Sequence, residues 1–257
     1  MTSTRGIVVA AVALVFGSGS MLPPMAAAAA DDMATCGHPA DILNLSNWKE
    51  TLPTGTQGSP TEIDQPQLAT YSIDPWFTPD AGCGGVQFRA AVNGVTTSGS
   101  GYPRSELREM TDSGSSEASW STTSGTNTMT IDEAVTHLPS EKPQVVVGQI
   151  HDADDDVAVW RLEGTKLYVT NGDDSHYQLV TDDYQLGARF TAEFVTSGGK
   201  IKAYYNGTLV ATLSVKSSGD YFKAGVYTQA NCGNSAPCTA DNYGEAVIYG
   251  LKISHQE

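Results

Sequence analysis

The run Thr126-Asn-Thr-Met-Thr-Ile-Asp-Glu-Ala-Val-Thr-His137 alternates residue by residue and never settles into a helical period. Only an extended strand sends successive side chains to opposite faces in this way. The same reading applies to shorter runs at 86–92, 102–110, 145–151, 157–163, 166–170, 190–196, 200–205, 209–213, 221–231 and 246–253. Turn signals separate several of them, at Gly164-Thr165, Ser197-Gly-Gly199 and Asn206-Gly207. Helical periodicity is nearly absent. The chain is therefore expected to be all-β, an antiparallel β-sandwich with the jelly roll as leading topology. Leu43, Leu45 and Leu52 are candidate core. Pro, Gly and Asp punctuate the stretch to residue 85, which reads as loops and short strands. Loops between 53 and 85 and between 171 and 188 are expected to shape the ends of a groove.

Residues 1–30 stand apart. Arg5, an apolar run from Gly6 to Phe16 and the small residues Ala26 to Ala30 before Asp31-Asp32 form the pattern of a secretory signal peptide. The apolar run is short for a membrane span. Residues 31–257 suit one domain, since all-β sandwiches often reach about 200–250 residues. The expected product is a secreted, extracellular monomer with no membrane partner. Four cysteines in an exported chain suggest disulfides, and three connectivities are open. The turn-like segment between Cys232 and Cys238 favours a local pair, with Cys36 joined to Cys83. Their spacing lacks the paired short intervals of a zinc site. A formal net charge of −15 argues against nucleic acid as a partner. It also makes the 14 Lys and Arg residues worth locating.

Three strands place unusual chemistry on one face. In Tyr221-Phe-Lys-Ala-Gly-Val-Tyr-Thr-Gln229 that face carries Tyr221, Lys223, Gly225, Tyr227 and Gln229, with the glycine leaving room in the middle. Arg104, Glu106 and Arg108 share a face of a second strand, and Gln149 and His151 share one of a third. Each set alone has an ordinary reading, as a salt-bridged surface strand or a solvated histidine. The Asp152–Asp156 segment has calcium-loop spacing, but Val157 stands where such a loop needs glycine, so it reads as a solvated acidic loop with no metal. Together, Arg, Gln, His, Lys and Tyr on one concave sheet face suit β-elimination on a uronic acid. Arg and amide donors stabilise the enolate-like charge beside the carboxylate. A base removes the C5 proton and an acid protonates the leaving glycosidic oxygen.

Arg104-Ser-Glu-Leu-Arg108, Gln149-Ile-His151 and Tyr221-Phe-Lys-Ala-Gly-Val-Tyr-Thr-Gln229, in that order, resemble the alginate lyases of polysaccharide lyase family seven. The resemblance runs from about Leu43 to Ile253. It implies a concanavalin-like jelly roll whose concave sheet holds alginate, an anionic polysaccharide, with no cofactor. It also implies that Arg104 and Gln149 neutralise the substrate carboxylate. His151 would be the base or assist that neutralisation, and Tyr227 the acid and, for some substrates, also the base. Glu106, Arg108, Lys223 and Gln229 would line subsites, with Asn231 added by alternation. Ile150 resembles members that accept guluronate-containing blocks, and endo-cutting is the expected mode. Two other classes compete. A non-catalytic carbohydrate-binding sandwich would use the same face, and a hydrolase would need Glu106 and Glu109 as a pair, which alternation places on opposite faces.

Overall fold

Strands with one apolar side must bury it, and two sheets do so here against each other. The computed structural model describes Met1, Thr2, Gly6 and residues 36–257. The expected signal peptide therefore lies almost wholly outside the described residues. In chain order the strands are β1 (Trp48–Thr56), β2 (Ser59–Ile63), β3 (Phe77–Pro79), β4 (Val86–Ala91), β5 (Arg104–Thr111) and β6 (Ser116–Glu117). They continue as β7 (Trp120–Ser121), β8 (Thr126–His137), β9 (Gln144–His151), β10 (Asp156–Glu163), β11 (Lys166–Asn171) and β12 (Asp174–Thr181). The last are β13 (Phe190–Ser197), β14 (Lys200–Tyr205), β15 (Thr208–Ser214), β16 (Ser218–Thr228) and β17 (Tyr243–Gln256).

The larger sheet runs β12-β11-β10-β9-β16-β5-β1-β2, with β6 and β7 attached at its margin. The smaller runs β15-β14-β13-β8-β17-β4-β3. Pairing is antiparallel, and the architecture is the expected jelly-roll sandwich. Leu107, Ile150, Trp160, Phe222, Ala224 and Val226 turn inward from the larger sheet. Phe88, Met129, Ile131, Phe194, Ala246 and Ile248 meet them from the smaller one. Trp160 and Phe194 touch across the interior with ring centroids 5.4 Å apart. This buried layer, repeated along the sheets, is the main favourable term holding the sandwich.

Strand order brings the three sequence motifs together. β16 lies between β9 and β5, so Lys223 stands opposite both Gln149 and Arg108. Tyr221 faces His151 and Tyr227 faces Arg104 across the same two ladders. Between Ala224 and Tyr227 the register with β9 shifts, which marks a local irregularity in β16. Gly225 lies in that stretch with φ 138°. A Cβ there would come within 2.5 Å of the Ser105 carbonyl oxygen and 3.1 Å of the Phe88 ring. The glycine therefore does not open space in the groove. It lets β16 approach the β5 backbone above the core.

Two other expectations need correction. Between 171 and 188, where only loops are expected, β12 forms the sheet edge. Its polar sequence hides the strand, and Tyr177 and Leu179 are exposed on it. Asn231 is not on the strand face, because β16 ends at Thr228 and Asn231 belongs to the following turn. The disulfides join Cys36 to Cys83 and Cys232 to Cys238. Gly225→Ala should lower Tm by roughly 5–10 °C, because backbone strain of about 1–3 kcal/mol is added to the clash. Thermal unfolding followed by circular dichroism checks this, and an unchanged Tm would mean that the strand accommodates the methyl group.

Candidate active site

The outer face of the larger sheet carries a cleft of about 340 Å³ over β5, β16 and β9. Arg104, Gln149, His151, Lys223 and Tyr227 line it. A larger hollow of about 670 Å³ lies elsewhere, lined by Asn44, Trp48, Thr128 and Lys252 among others. Its lining holds one titratable side chain, Lys252, and no acid–base pair. Size does not supply chemistry, so the smaller cleft is the candidate site.

The floor of the cleft is organised by Glu106, which is only 1% exposed. Lys223 Nζ lies 2.6 Å and Arg104 Nη1 3.0 Å from its Oε2. The Gln149 amide donates to Oε1. Burial alone would raise the Glu106 pKa, but Lys223, Arg104 and the donated hydrogen bonds hold it below the ordinary carboxylate range. Burial lowers Lys223 to about 8, against the pull of Glu106 and with help from Arg104 and Arg108. Glu106 has three donors, whereas Lys223 has one carboxylate partner and two neighbouring guanidiniums. We therefore take Glu106 as ionised throughout, with Lys223 the first member to lose its charge as pH rises. Glu106 thus does not line the cleft as a subsite wall. It fixes the groups that do.

His151 is set up as a proton acceptor. Its Nδ1 lies 2.7 Å from the Asp152 carbonyl oxygen, which can only accept, so Nδ1 carries the proton. Nε2 is then the bare nitrogen, and it has no hydrogen-bond partner among the described residues. Burial, offset by the Asp152 hydrogen bond and reinforced by Lys223, lowers the ring's pKa and keeps it neutral at neutral pH. Tyr221 stacks on it at 5.3 Å, and burial raises that phenol's pKa despite Arg108.

Tyr227 lines the same cleft from β16, the strand that pairs directly with the strand of His151. Its ring lies against Arg104, with the guanidinium carbon 3.9 Å from the ring centroid. Arg104 Nη1 is held by Glu106, while Nε and Nη2 donate to nothing among the described residues. Arg is well shaped to grip a carboxylate in this setting. The second Gln149 N–H is likewise uncommitted, since its amide's hydrogen bond to Glu106 uses one donor.

The remaining predicted residues fall at the margins. Arg108 lines the cleft, but it is occupied by Glu117 at 3.2 Å and the Glu109 carbonyl at 2.7 Å. Gln229 accepts from Arg161 at 3.1 Å, and Asn231 donates to the Gly101 carbonyl at 2.9 Å. The acidic segment is more than a solvated loop, because Asp154, Asp155 and Asp156 line one side of the cleft. Lys49, Tyr221 and Ser100 also line it and were absent from the predicted site. Period-two alternation already placed Tyr221 on the face. Lys49 is recognisable only once β1 is known to pair with β5, through Lys49 opposite Arg108.

A sequence-family model for alginate lyase matches residues 43–255. The chain belongs to the alginate lyase family. It is a polysaccharide lyase, and solved structures agree. An alginate lyase from Corynebacterium sp. is 62% identical, with 86% of this chain and 99% of that one covered and a TM-score of 0.85. The alginate lyase AlgAT5 from polysaccharide lyase family 7 is 51% identical, with the same 86% and 99% coverage and a TM-score of 0.81. A third, the family 7 lyase A1-II′, is 27% identical over 86% of this chain and 97% of that one, with a TM-score of 0.72. It was solved in complex with substrate (GGMG) in a variant with one histidine replaced by asparagine and one tyrosine by phenylalanine.

Two predictions follow from the lyase's electrostatics. Glu106→Gln should destabilise the fold by about 3–5 kcal/mol in chemical denaturation, because it strands Lys223 and Arg104 without their buried counter-charge. A loss under about 1 kcal/mol would show that the cations are solvated in the cleft. Burial, with Asp155 beside it, pushes Asp156 up to about 6. Its raised pKa gives stability that is complete below about pH 4 and is lost as pH rises through about 6. The Tm of Asp156→Asn should therefore gain on the parent protein between pH 4 and 7, whereas a constant difference would remove Asp156 as the source.

Proposed function

We propose that this lyase is a secreted, monomeric, endo-acting member of polysaccharide lyase family seven that accepts guluronate-containing blocks. The observation that carries the catalytic reading is one cleft lined by a neutral His151, with Nε2 bare, and by Tyr227, over a floor that presents Arg104 and Gln149. Similarity to AlgAT5 supports the family number. The substrate complex of A1-II′, obtained in a histidine and tyrosine variant, supports pairing those two residue types with the reaction.

The residues divide the work as follows. Arg104 and Gln149 hold the uronate carboxylate and stabilise the charge that builds as the C5 proton leaves. His151 Nε2 takes that proton, or Tyr227 does so where the epimer presents it on the other side. The C5–H electron pair becomes the C4=C5 double bond and the C4–O bond breaks. Tyr227 delivers a proton to the departing oxygen. Glu106 and Glu109 cannot act as a hydrolase pair, since Glu109 is turned to the opposite face, where Trp120, Phe222 and His255 occupy it.

Ile150 is completely buried in the core. Any bearing it has on block preference therefore acts through the position of β9 rather than by touching sugar.

Purified polyguluronate and polymannuronate, digested separately, should both be followed by ultraviolet absorbance of the new double bond and by product size. Early release of mixed oligosaccharides supports endo-cutting, and steady release of one small product overturns it. Tyr227→Phe should lower kcat by about 10²–10⁴-fold with the fold intact. Full activity in that variant would remove Tyr227 as proton donor.

A further inference from the structure

We propose that Ser100 is the positioning residue for the proton of Tyr227, a role that rests on the reading of Tyr227 as proton carrier. Ser100 Oγ lies 2.7 Å from the Tyr227 hydroxyl and lines the cleft. No other hydrogen bond to that hydroxyl is found among the described residues. Ser100 is held at both ends. Its own N–H donates to the Thr97 carbonyl at 3.2 Å, and the next residue's carbonyl, at Gly101, accepts from Asn231 at 2.9 Å. Asn231 directly precedes the Cys232–Cys238 disulfide and is tied to Asn234 and Gly233. The short turn carrying Ser100 is thus fastened to a cross-linked loop.

The hydrogen-bond inventory of one hydroxyl sets the options. A serine hydroxyl has one proton and two acceptor sites. The Tyr102 N–H occupies one acceptor site at 3.1 Å. The serine proton can point to the Tyr102 carbonyl at 3.3 Å or to the Tyr227 oxygen at 2.7 Å. The 2.7 Å contact can run in either direction while Tyr227 holds its proton; once that proton has left, the phenol oxygen can only accept, and Ser100 is the donor in place. When Ser100 donates to Tyr227, the phenolic proton has to turn away from Ser100 and into the cleft, where the leaving oxygen sits. As that proton moves to the glycosidic oxygen, the negative charge left on the phenol oxygen already faces a donor, a preorganised arrangement that needs no rearrangement at the moment of reaction. Ser100 keeps its own proton throughout. Proton bookkeeping therefore stays between Tyr227, the leaving oxygen and the base at C5.

Steady-state kinetics of Ser100→Ala, Ser100→Thr and Tyr227→Phe on alginate separate the possibilities. Circular dichroism and Tm are recorded for each variant. Ser100→Ala should lower kcat by about 10–100-fold, the range for a hydrogen bond to a developing charge, with KM changed by less than about twofold. Ser100→Thr keeps the hydroxyl and should return kcat to within about threefold of the parent, by the same reasoning. An unchanged kcat in Ser100→Ala, with Tyr227→Phe inactive, overturns the role of Ser100 and leaves Tyr227 in place. Equal losses in the alanine and threonine variants, or a loss confined to KM, also overturn it, since either would trace to the turn rather than to the hydroxyl. Full activity in Tyr227→Phe removes the reading on which the proposal rests.

Discussion

One buried carboxylate holds the working face of this lyase in register. Glu106 collects a guanidinium from its own strand, an ammonium from β16 and an amide from β9. The backbone ladders align the three strands, but they do not decide where long side chains rest. Arg104 and Lys223 each have several rotatable bonds, and freezing them without a partner costs entropy. Glu106 supplies that partner from below, so the chains point inward to the floor rather than outward to solvent. Burial would disfavour its charge, and the converging cations reverse that preference. The negative net charge of the chain has little bearing on this arrangement, because the site is governed by groups within a few ångströms.

The same setting fixes the form of the histidine that lines the cleft. Burial disfavours a charged histidine, and Lys223 and Arg104 act in the same direction against the opposing pull of the Asp152 carbonyl and Glu106. The resulting neutral ring is oriented by a carbonyl, so one nitrogen is fixed as donor and the other as acceptor. Lys223 and Arg104 in the floor thereby help keep the neighbouring imidazole in its basic form.

Much of this was legible in the sequence, and the failures have physical causes. Period-two alternation placed Arg104, Glu106, Arg108, Gln149, His151, Lys223 and Tyr227 on the correct strand faces, because a strand has only two sides. The jelly roll followed from many short strands and turn signals. Alternation cannot report depth along a face, which is why Glu106 looked like a wall and proved to be a floor. Nor can it report where a strand stops, which is why Asn231 was carried past Thr228 onto a strand that had ended. The edge strand β12 escaped notice because its outer position relaxes the demand for an apolar side. Ser100 lies in the Ser-Gly-Ser-Gly turn before Tyr102, where no periodicity operates, and its neighbour Tyr227 is 127 positions away.

The placement of Glu106 beneath three donors also constrains how such a site can change over time. Replacing Arg104 alone leaves Glu106 buried with less compensation. Replacing Glu106 alone leaves two cations crowded together. A shift toward neutral polysaccharides would have to pass through one of these poorly compensated intermediates or alter several positions on different strands at once. The charge set of the cleft floor and the integrity of the sheet are thereby inherited as a block, and variation is directed outward to the turns at the rim of the cleft.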